Sequence, residues 1–148
     1  MSKRPGWIST YSKKPFYFDK INPDAILIED IAHALSNICR FSGHSPHHYS
    51  VAQHSVLVSR LCSKREALAG LLHDATEAYI GDMVTPLKRL IPEFEAYEDK
   101  LYQFISAKFG IPNIITPGVK RADLAALALE AKHLMGVDPK DWGLDYCP

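Results

Sequence analysis

The spacing of apolar residues changes near the start of this 148-residue chain. Between Gly6 and Phe18, aromatic and β-branched residues cluster on both sides of Ser12-Lys13-Lys14, which predicts a β-hairpin with its turn there. After Asp24, apolar residues recur every three or four positions, as they do from Ile28 to Ile38, and this spacing is typical of helices. We therefore expect an all-α domain with a short N-terminal β-hairpin.

Capping residues indicate where the later helices begin. Ser50 with Gln53, and Ser63 with Glu66, have the spacing of capping boxes, and prolines suit the start of two further helices. Glycines stand behind three of these segments. The predicted helices span residues 51–61, 63–80, 92–109 and 117–135, with a loop at 39–49, a short turn at 86–90 and an aperiodic tail at 137–148.

Length and charge limit the class of protein. A chain of this size with 47% hydrophobic residues is enough for one domain, residues 1–148, with a packed core. Its 17 basic and 17 acidic residues cancel, and a neutral chain lacks the positive field that binds polymeric nucleic acid. A small charged ligand in a local pocket remains compatible with this composition.

Cysteine usage and the chain ends indicate the compartment. Cys39, Cys62 and Cys147 are odd in number and form no CxxC pair, so we expect neither a disulfide framework nor a zinc knuckle. The segment from Met1 to Trp7 lacks the apolar core of a signal peptide, and no apolar run approaches membrane-spanning length. We expect a cytoplasmic protein with no membrane partner.

Polar residues that interrupt apolar helices are the candidate chemistry. His73 and Asp74 follow a run of apolar residues, and Glu77 lies one turn further on. His54 lies in the first turn of the preceding helix, and Asp123 interrupts a stripe of alanines and leucines. Each residue alone fits a satisfied core histidine or a capping aspartate. One shared divalent cation explains His54, His73, Asp74 and Asp123 together, because an unpaired buried carboxylate is costly.

The donor types restrict the cation. Imidazole nitrogen with carboxylate oxygen, and no thiolate, suits Mn²⁺, Co²⁺, Fe²⁺, Ni²⁺ or Zn²⁺, and Mg²⁺ also accepts carboxylates. Four protein ligands would leave positions on an octahedral ion open for water or a phosphate oxygen. A separate loop cluster, His44, His47 and His48, could hold a second metal, although a surface role is the simpler interpretation.

The order His54, His73-Asp74, Asp123 resembles the H…HD…D signature of the HD phosphohydrolase superfamily. Within it, the chain is similar to bacterial HD-type 5′-deoxynucleotidases and phage dATP triphosphohydrolases, from about Trp7 to Met135. The segments that carry the resemblance are Arg40-Phe41, Tyr49 to Ser55, His73 to Glu77, Gly81-Asp82 and Thr85 to Lys88. The resemblance implies an HD-domain helical bundle holding one divalent metal ion, and an oligomer, either a dimer or a hexamer.

The resemblance also implies roles for individual residues. Glu77 would orient or deprotonate the attacking water, and Asp82 would position water or protonate the leaving oxygen. Around the substrate, a cation would clamp phosphate, an aromatic ring would pack on the sugar, a proline would lie under the base and two lysines would reach further phosphate oxygens. These residues are, in that order, Arg40, Phe41, Pro86, Lys88 and Lys120.

The function implied is cleavage of a deoxynucleotide at its α-phosphate. Three candidate cations favour a triphosphohydrolase acting on dATP or other dNTPs, in a host cytoplasm if the chain is phage-encoded. The alternatives are a 5′-deoxynucleotidase acting on dNMPs and a non-catalytic nucleotide-binding HD module. An alarmone hydrolase fits less well because Ala78 rather than an acid follows Glu77, and no GYP motif indicates a cyclic-dinucleotide phosphodiesterase.

Overall fold

The computed structural model describes residues 6–145, where a two-stranded antiparallel sheet precedes a mostly helical chain. Strand β1 (Trp7–Ser9) pairs with β2 (Pro15–Tyr17), with Trp7 opposite Tyr17 and Ser9 opposite Pro15. The helices are α1 (Ile28–Asn37), α2 (Val51–Leu61), α3 (Ala67–Leu71), α4 (Glu77–Ile80), α5 (Thr85–Lys88), α6 (Pro92–Phe109) and α7 (Pro117–Glu130). Single turns of 3-10 helix occur at Pro23–Ala25, Phe41–Gly43 and Pro139–Trp142.

The predicted hairpin is confirmed, and two contacts attach it to the helices. The Phe16 ring is fully buried and stacks on Tyr79 with ring centroids 4.2 Å apart. In the turn, the backbone nitrogen and hydroxyl of Ser12 donate to the Asp30 carboxylate at 2.7 and 2.9 Å. Asp30 is buried on α1, so these bonds satisfy a charge that would otherwise be costly to bury.

Helices α1 and α2 have the predicted bounds to within a residue. The Ser50 hydroxyl accepts from the Gln53 backbone nitrogen at 3.1 Å, and the Gln53 side chain accepts from the Ser50 backbone, which completes the capping box. Between the two helices, the Arg40 backbone donates to the Tyr49 carbonyl at 2.8 Å. This bond closes the 39–49 loop and brings Arg40 beside the start of α2.

The prediction of one helix over residues 63–80 is wrong. The chain forms α3 and α4, with five residues in turns between them, because local i to i+3 bonds such as Ala75 to Leu72 replace helical ones. His73 Nδ1 also donates a hydrogen bond to the Gly70 carbonyl. In a regular helix this carbonyl would accept from the backbone nitrogen four residues further on. The second capping box is absent as well, because Glu66 accepts from the Ser63 and Thr116 hydroxyls instead.

Helices α6 and α7 begin and end close to the predicted positions. The Thr116 side chain caps α7 by accepting from the Val119 nitrogen at 3.2 Å. After Glu130, a π-helical turn (Ala131–Met135) continues to Gly136, which is left-handed. The tail, predicted to be aperiodic, contains the 3-10 turn at Pro139–Trp142, and Leu144 is buried.

Two apolar clusters form the core. The larger one lies between the hairpin, α1, α4 and α6, and the smaller one lies between α2, α3 and α7. Val51 belongs to the first cluster and Val58 to the second, so α2 lies between them. The fully or almost fully buried members include Phe16, Ile26, Ile31, Leu72, Leu101, Ile105, Val119 and Ala126.

Three further expectations concern cysteines and membranes. Within residues 6–145, Cys39 and Cys62 are free thiols, and Cys147 lies outside the described residues. The expectation about a signal peptide concerns residues 1–7, of which the first five also lie outside them. Within residues 6–145, no helix has both the length and the apolar character needed to cross a bilayer.

Candidate metal centre and adjoining cavity

Three segments bring the predicted metal ligands together. His54 lies on α2, on the same face as the buried Val51 and Val58, so its fully buried ring is directed inward. His73 and Asp74 lie in the turns between α3 and α4. Asp123 lies on α7, where its side chain is 39% exposed and therefore at the edge of the core.

The distances between these groups suit a single cation. His54 Nε2 lies 3.0 Å from Asp123 Oδ1 and 3.7 Å from Asp74 Oδ2. His73 Nε2 lies 3.1 Å from Asp74 Oδ2 and 3.7 Å from Asp123 Oδ1. One ligand atom each from His54, His73 and Asp123 falls within 4.8 Å of the others, so this group could hold a metal ion.

The hydrogen bonds of the two rings present the correct nitrogen to an ion. His54 Nδ1 bonds to Glu130 Oε1 at 2.6 Å, and His73 Nδ1 bonds to the Gly70 carbonyl at 2.7 Å. A carbonyl or a carboxylate oxygen accepts, so both Nδ1 atoms carry the proton and a neutral ring has its lone pair on Nε2. Both Nε2 atoms are buried without a hydrogen-bond partner among the described residues. Two such nitrogens beside two carboxylates fit a divalent ion.

The electrostatics of the site also favour positive charge. Burial opposes protonation of His54, but the Asp123 and Glu130 carboxylates outweigh it and raise the pKa of the ring above its ordinary value. Burial likewise opposes ionisation of Asp74, but the adjacent His73 outweighs it and lowers the pKa of Asp74 to about 2. The pKa of Asp123 is far below its usual range, because the two histidines outweigh its burial. The carboxylates thus remain charged and attract a cation.

Arg40 lies beside the metal centre and pairs with a buried carboxylate. Its Nη2 donates to Glu130 Oε2 at 2.9 Å, and its Nη1 lies 4.0 Å from Asp74 Oδ2. Its guanidinium also lies 5.0 Å from the centre of the Phe41 ring, which in turn packs against Trp142 at 5.8 Å. Arg40 therefore lies at the metal centre, but an internal carboxylate already occupies part of its donor fork.

Phe41 has a backbone conformation that few side chains adopt. Its φ of 55° and that of Ser42, 50°, are both in the left-handed region. Such strain persists only where surrounding contacts hold it, and here the Arg40 guanidinium and the Trp142 ring contact the phenylalanine. The predicted aromatic residue thus lies beside Arg40, and a tail residue that sequence reasoning did not single out lies against it.

Glu77 and Asp82 lie close enough to the centre for its charges to shift their pKa values. Burial, followed by the charges of Asp74 and Asp82, raises the pKa of Glu77 to about 10. Glu77 Oε2 is buried and has no hydrogen-bond partner among residues 6–145. Burial also raises the pKa of Asp82, against the opposing charge of Arg40. Without a bound ion Glu77 therefore favours the protonated form, and a nearby cation would reverse this preference.

A cavity of about 530 Å³ opens beside the centre. His73, Asp74 and Asp123 form one side of it, and α6 with the 113–115 loop forms the other. Both predicted lysines line it. Lys88 is held by Glu98, with Nζ 2.9 and 2.7 Å from the two carboxylate oxygens, whereas Lys120 has no ion pair within the described part of the chain. The remaining lining residues are Thr76, Asp99, Tyr102, Gln103, Asn113, Ile114 and Ile115.

Other predicted residues lie apart from this centre. Pro86 is exposed in the first turn of α5 and does not line the cavity. His44, His47 and His48 belong to an exposed loop, where His48 Nε2 lies 3.4 Å from the Ser36 carbonyl. They form no metal-binding group among residues 6–145.

Sequence reasoning missed Glu130 and Glu98. Glu130 is 3% exposed and follows Asp123 by seven residues, two helical turns, in the same stripe of alanines and leucines. The signal that identified Asp123, a carboxylate in an apolar stripe, therefore applies equally to Glu130. Glu98 carries no such signal, because charged residues surround it on α6 and only the fold brings it to Lys88.

Comparison with known proteins assigns a family. The chain is 51% identical over 136 residues to "Uncharacterized protein YfdR" of Escherichia coli strain K12, a match that covers 92% of this chain and 76% of that protein. It is 38% identical over 128 residues to "Uncharacterized protein RCAP_rcc00048" of Rhodobacter capsulatus, covering 77% of this chain and 65% of the relative. No protein-family model matches the chain. The extent of the first match shows that the chain belongs to the family of YfdR.

Proposed function

We propose that this protein is a metal-dependent phosphohydrolase of the HD type that cleaves a deoxynucleotide at its α-phosphate. The observation that carries the proposal is the pair of buried Nε2 atoms of His54 and His73, which have no hydrogen-bond partner among residues 6–145 and lie 3.0–3.7 Å from Asp74 and Asp123 oxygens. The cavity beside them provides space for a ligand. The H…HD…D order of these residues supports assignment to the HD superfamily.

The ligand chemistry follows from the groups around the centre. When bound, a divalent ion supplies a Lewis acid for a phosphate oxygen and lowers the pKa of a water molecule. Glu77 would orient this water and accept its proton, and in-line attack on the α-phosphorus would form one P–O bond and break the bond to the 5′-oxygen of the nucleoside. Asp82 would position the water or protonate the departing oxygen, and the upward shift that burial gives its pKa favours the second role. Arg40 would move its free donors toward the phosphate.

The substrate of this reaction could be a deoxynucleoside triphosphate or a deoxynucleoside monophosphate, and one observation favours the monophosphate. The number of nearby cations favours a triphosphate, which would be cleaved to deoxynucleoside and tripolyphosphate. However, Glu98 already pairs with Lys88 and Glu130 already pairs with Arg40, which leaves Lys120 as the uncommitted cation in this set. This charge balance favours a 5′-deoxynucleotidase that releases orthophosphate from a dNMP.

The test is a substrate and metal panel with product identification. Purified protein is assayed with dNTPs, NTPs and dNMPs in the presence of Mg²⁺, Mn²⁺, Co²⁺ or Zn²⁺, and the released phosphate species is identified. We expect turnover of deoxynucleotides and its loss in Asp74→Asn. Asp24→Asn, an exposed aspartate outside the cavity, serves as the matched control and should remain active.

The outcome separates this proposal from a non-catalytic module. Metal-dependent nucleotide binding without turnover under any of these conditions would favour the module. Undiminished turnover in Asp74→Asn would show that the assigned centre does not perform the chemistry.

A further inference from the structure

Glu98 on α6 forms an ion pair with Lys88, one of the two lysines in the cavity. Both oxygens of Glu98 bind Lys88 Nζ, at 2.9 and 2.7 Å, and the Thr76 hydroxyl lies 3.5 Å from Oε1. The side chains of Lys88 and Glu98 are only 20% and 18% exposed. Because the pair is largely shielded from water, it is stronger than an ordinary surface ion pair and holds Lys88 toward α6.

The charges that line the cavity make the Lys88–Glu98 ion pair important for the binding of an anionic ligand. Four carboxylates line it, Asp74, Glu98, Asp99 and Asp123, against the two lysines, Lys88 and Lys120. One divalent cation at the His/Asp centre would bring this set of charges to balance and no further. The space beyond the centre therefore carries no excess positive charge for the additional charges of a polyphosphate.

We propose that Glu98 is a specificity-determining residue that restricts the cavity to ligands with a single phosphate group. It does so by neutralising Lys88 and by presenting its own negative charge to a polyphosphate tail. Selectivity of this kind arises from repulsion of the wrong ligand as well as attraction of the right one. This inference rests on the proposed function, because it concerns the phosphate end of the same ligand.

The experiment measures binding of inorganic anions to metal-free protein, so it does not depend on turnover. Calorimetric titrations with tripolyphosphate and with orthophosphate compare the wild type with Glu98→Gln. We expect tripolyphosphate to bind about tenfold more tightly to the variant, a change of about 1.4 kcal/mol. Orthophosphate affinity should change by less than about threefold, because orthophosphate carries less negative charge than tripolyphosphate for Glu98 to repel.

Two further variants make the result specific. Glu95→Gln removes the same charge from an exposed position on α6 outside the cavity, and it should leave both affinities unchanged. Lys88→Gln combined with Glu98→Gln should lose part of the gain, because the freed lysine is one of its two causes. An unchanged tripolyphosphate affinity in Glu98→Gln or an equal gain in Glu95→Gln would overturn the role of Glu98, and the full gain without Lys88 would overturn its action through Lys88.

Failure of the proposed function gives a different result. If no nucleotide is hydrolysed, the proposed function fails, while the anion affinities still test Glu98. If dNMPs are hydrolysed, Glu98→Gln should also raise kcat/KM for dATP relative to dAMP by about tenfold. An unchanged ratio would count against Glu98 and leave the hydrolase proposal intact.

Discussion

Glu130 stabilises two groups that are buried with it, the His54 ring and the Arg40 guanidinium. Its removal should therefore lower the free energy of unfolding strongly. Its Oε1 lies 2.6 Å from His54 Nδ1, and its Oε2 lies 2.9 Å from Arg40 Nη2. Glu130, His54 and Arg40 are 3%, 0% and 12% exposed at their side chains. Glu130→Leu leaves the other two groups in place and removes the acceptor from both.

The magnitude follows from this burial. Removing one partner of a buried ion pair costs about 3–5 kcal/mol, because the remaining charge stays unpaired. The nearest other carboxylate to Arg40, that of Asp74, lies 4.0 Å away and offers only partial compensation. We therefore expect Glu130→Leu to lower the free energy of unfolding by at least about 3 kcal/mol, out of a usual total of about 5–15 kcal/mol.

The assay is urea unfolding monitored by circular dichroism in chelator, which removes any contribution of bound metal. Glu130→Gln keeps an oxygen for His54 but loses the charge, so it should cost less than Glu130→Leu, about 1.5–3 kcal/mol. Glu95→Gln, on the exposed face of α6, should change stability by less than about 0.5 kcal/mol.

A double-mutant cycle decides whether the pair is the cause. Arg40→Leu with Glu130→Leu should cost clearly less than the sum of the two single variants, because no charge is left unpaired. A Glu130→Leu variant within about 1 kcal/mol of the wild type, or strict additivity in the cycle, would refute this reasoning.

Three further predictions concern the scaffold. Phe16→Ala should cost about 3–5 kcal/mol in urea unfolding, because the buried ring joins the hairpin to the core, and a loss below 1 kcal/mol would contradict this packing. Gly70→Ala should lower stability by about 1–3 kcal/mol, since a Cβ would meet Cys62 Sγ at 2.6 Å and the Ser59 backbone at 3.3 Å, and an unchanged Tm would contradict it. Hydrogen bonds from Thr116 and Ser63 lower the pKa of Glu66 below its ordinary value of 4.5, so its contribution is present above that pH and is lost as pH falls through the folded-state pKa. The stability difference between wild type and Glu66→Gln should therefore narrow below pH 4.5 in acid titration, and a constant difference would contradict this assignment.

The parts of the fold that the sequence predicts well depend on local signals. The hairpin follows from strand-forming residues around a turn, and α2 follows from the Ser50 and Gln53 capping box, which the structure shows as two reciprocal bonds. Helix α6 begins at Pro92 and ends before the left-handed Gly110, as its sequence indicates. In each case the residues that specify the boundary lie within a few positions of it.

The features that the sequence does not reveal depend on distant contacts. The apolar spacing continues through the segment between α3 and α4, so periodicity alone cannot reveal the turns that the His73 side chain stabilises by taking the Gly70 carbonyl. Likewise, Lys88 has the sequence context of a free cation, and its pairing depends on Glu98, ten residues away on another helix. Long-range pairing of this kind determines which candidate cations are available for a phosphate.

The metal centre contains both residues that the sequence indicates and contacts that it does not. The sequence indicates His54, His73, Asp74 and Asp123 because polar residues in apolar helices need partners, and the structure brings them within 3.0–3.7 Å of one another in histidine–carboxylate pairs. The same argument applied to Glu130 would have identified the partner of His54. The sequence does not show the pairing of Arg40 with Glu130, because a guanidinium suited to phosphate is equally suited to a buried carboxylate.

The most direct test of this account is calorimetric titration of Mn²⁺ or Zn²⁺ into metal-free protein, comparing wild type with Asp123→Asn. The account predicts one ion bound per wild-type chain, with affinity weakened by at least about 100-fold in the variant, because a neutral amide is a poor substitute for the carboxylate. Wild-type protein that binds neither ion, or a variant that binds as tightly as wild type, would contradict the claim that these four side chains form a metal centre.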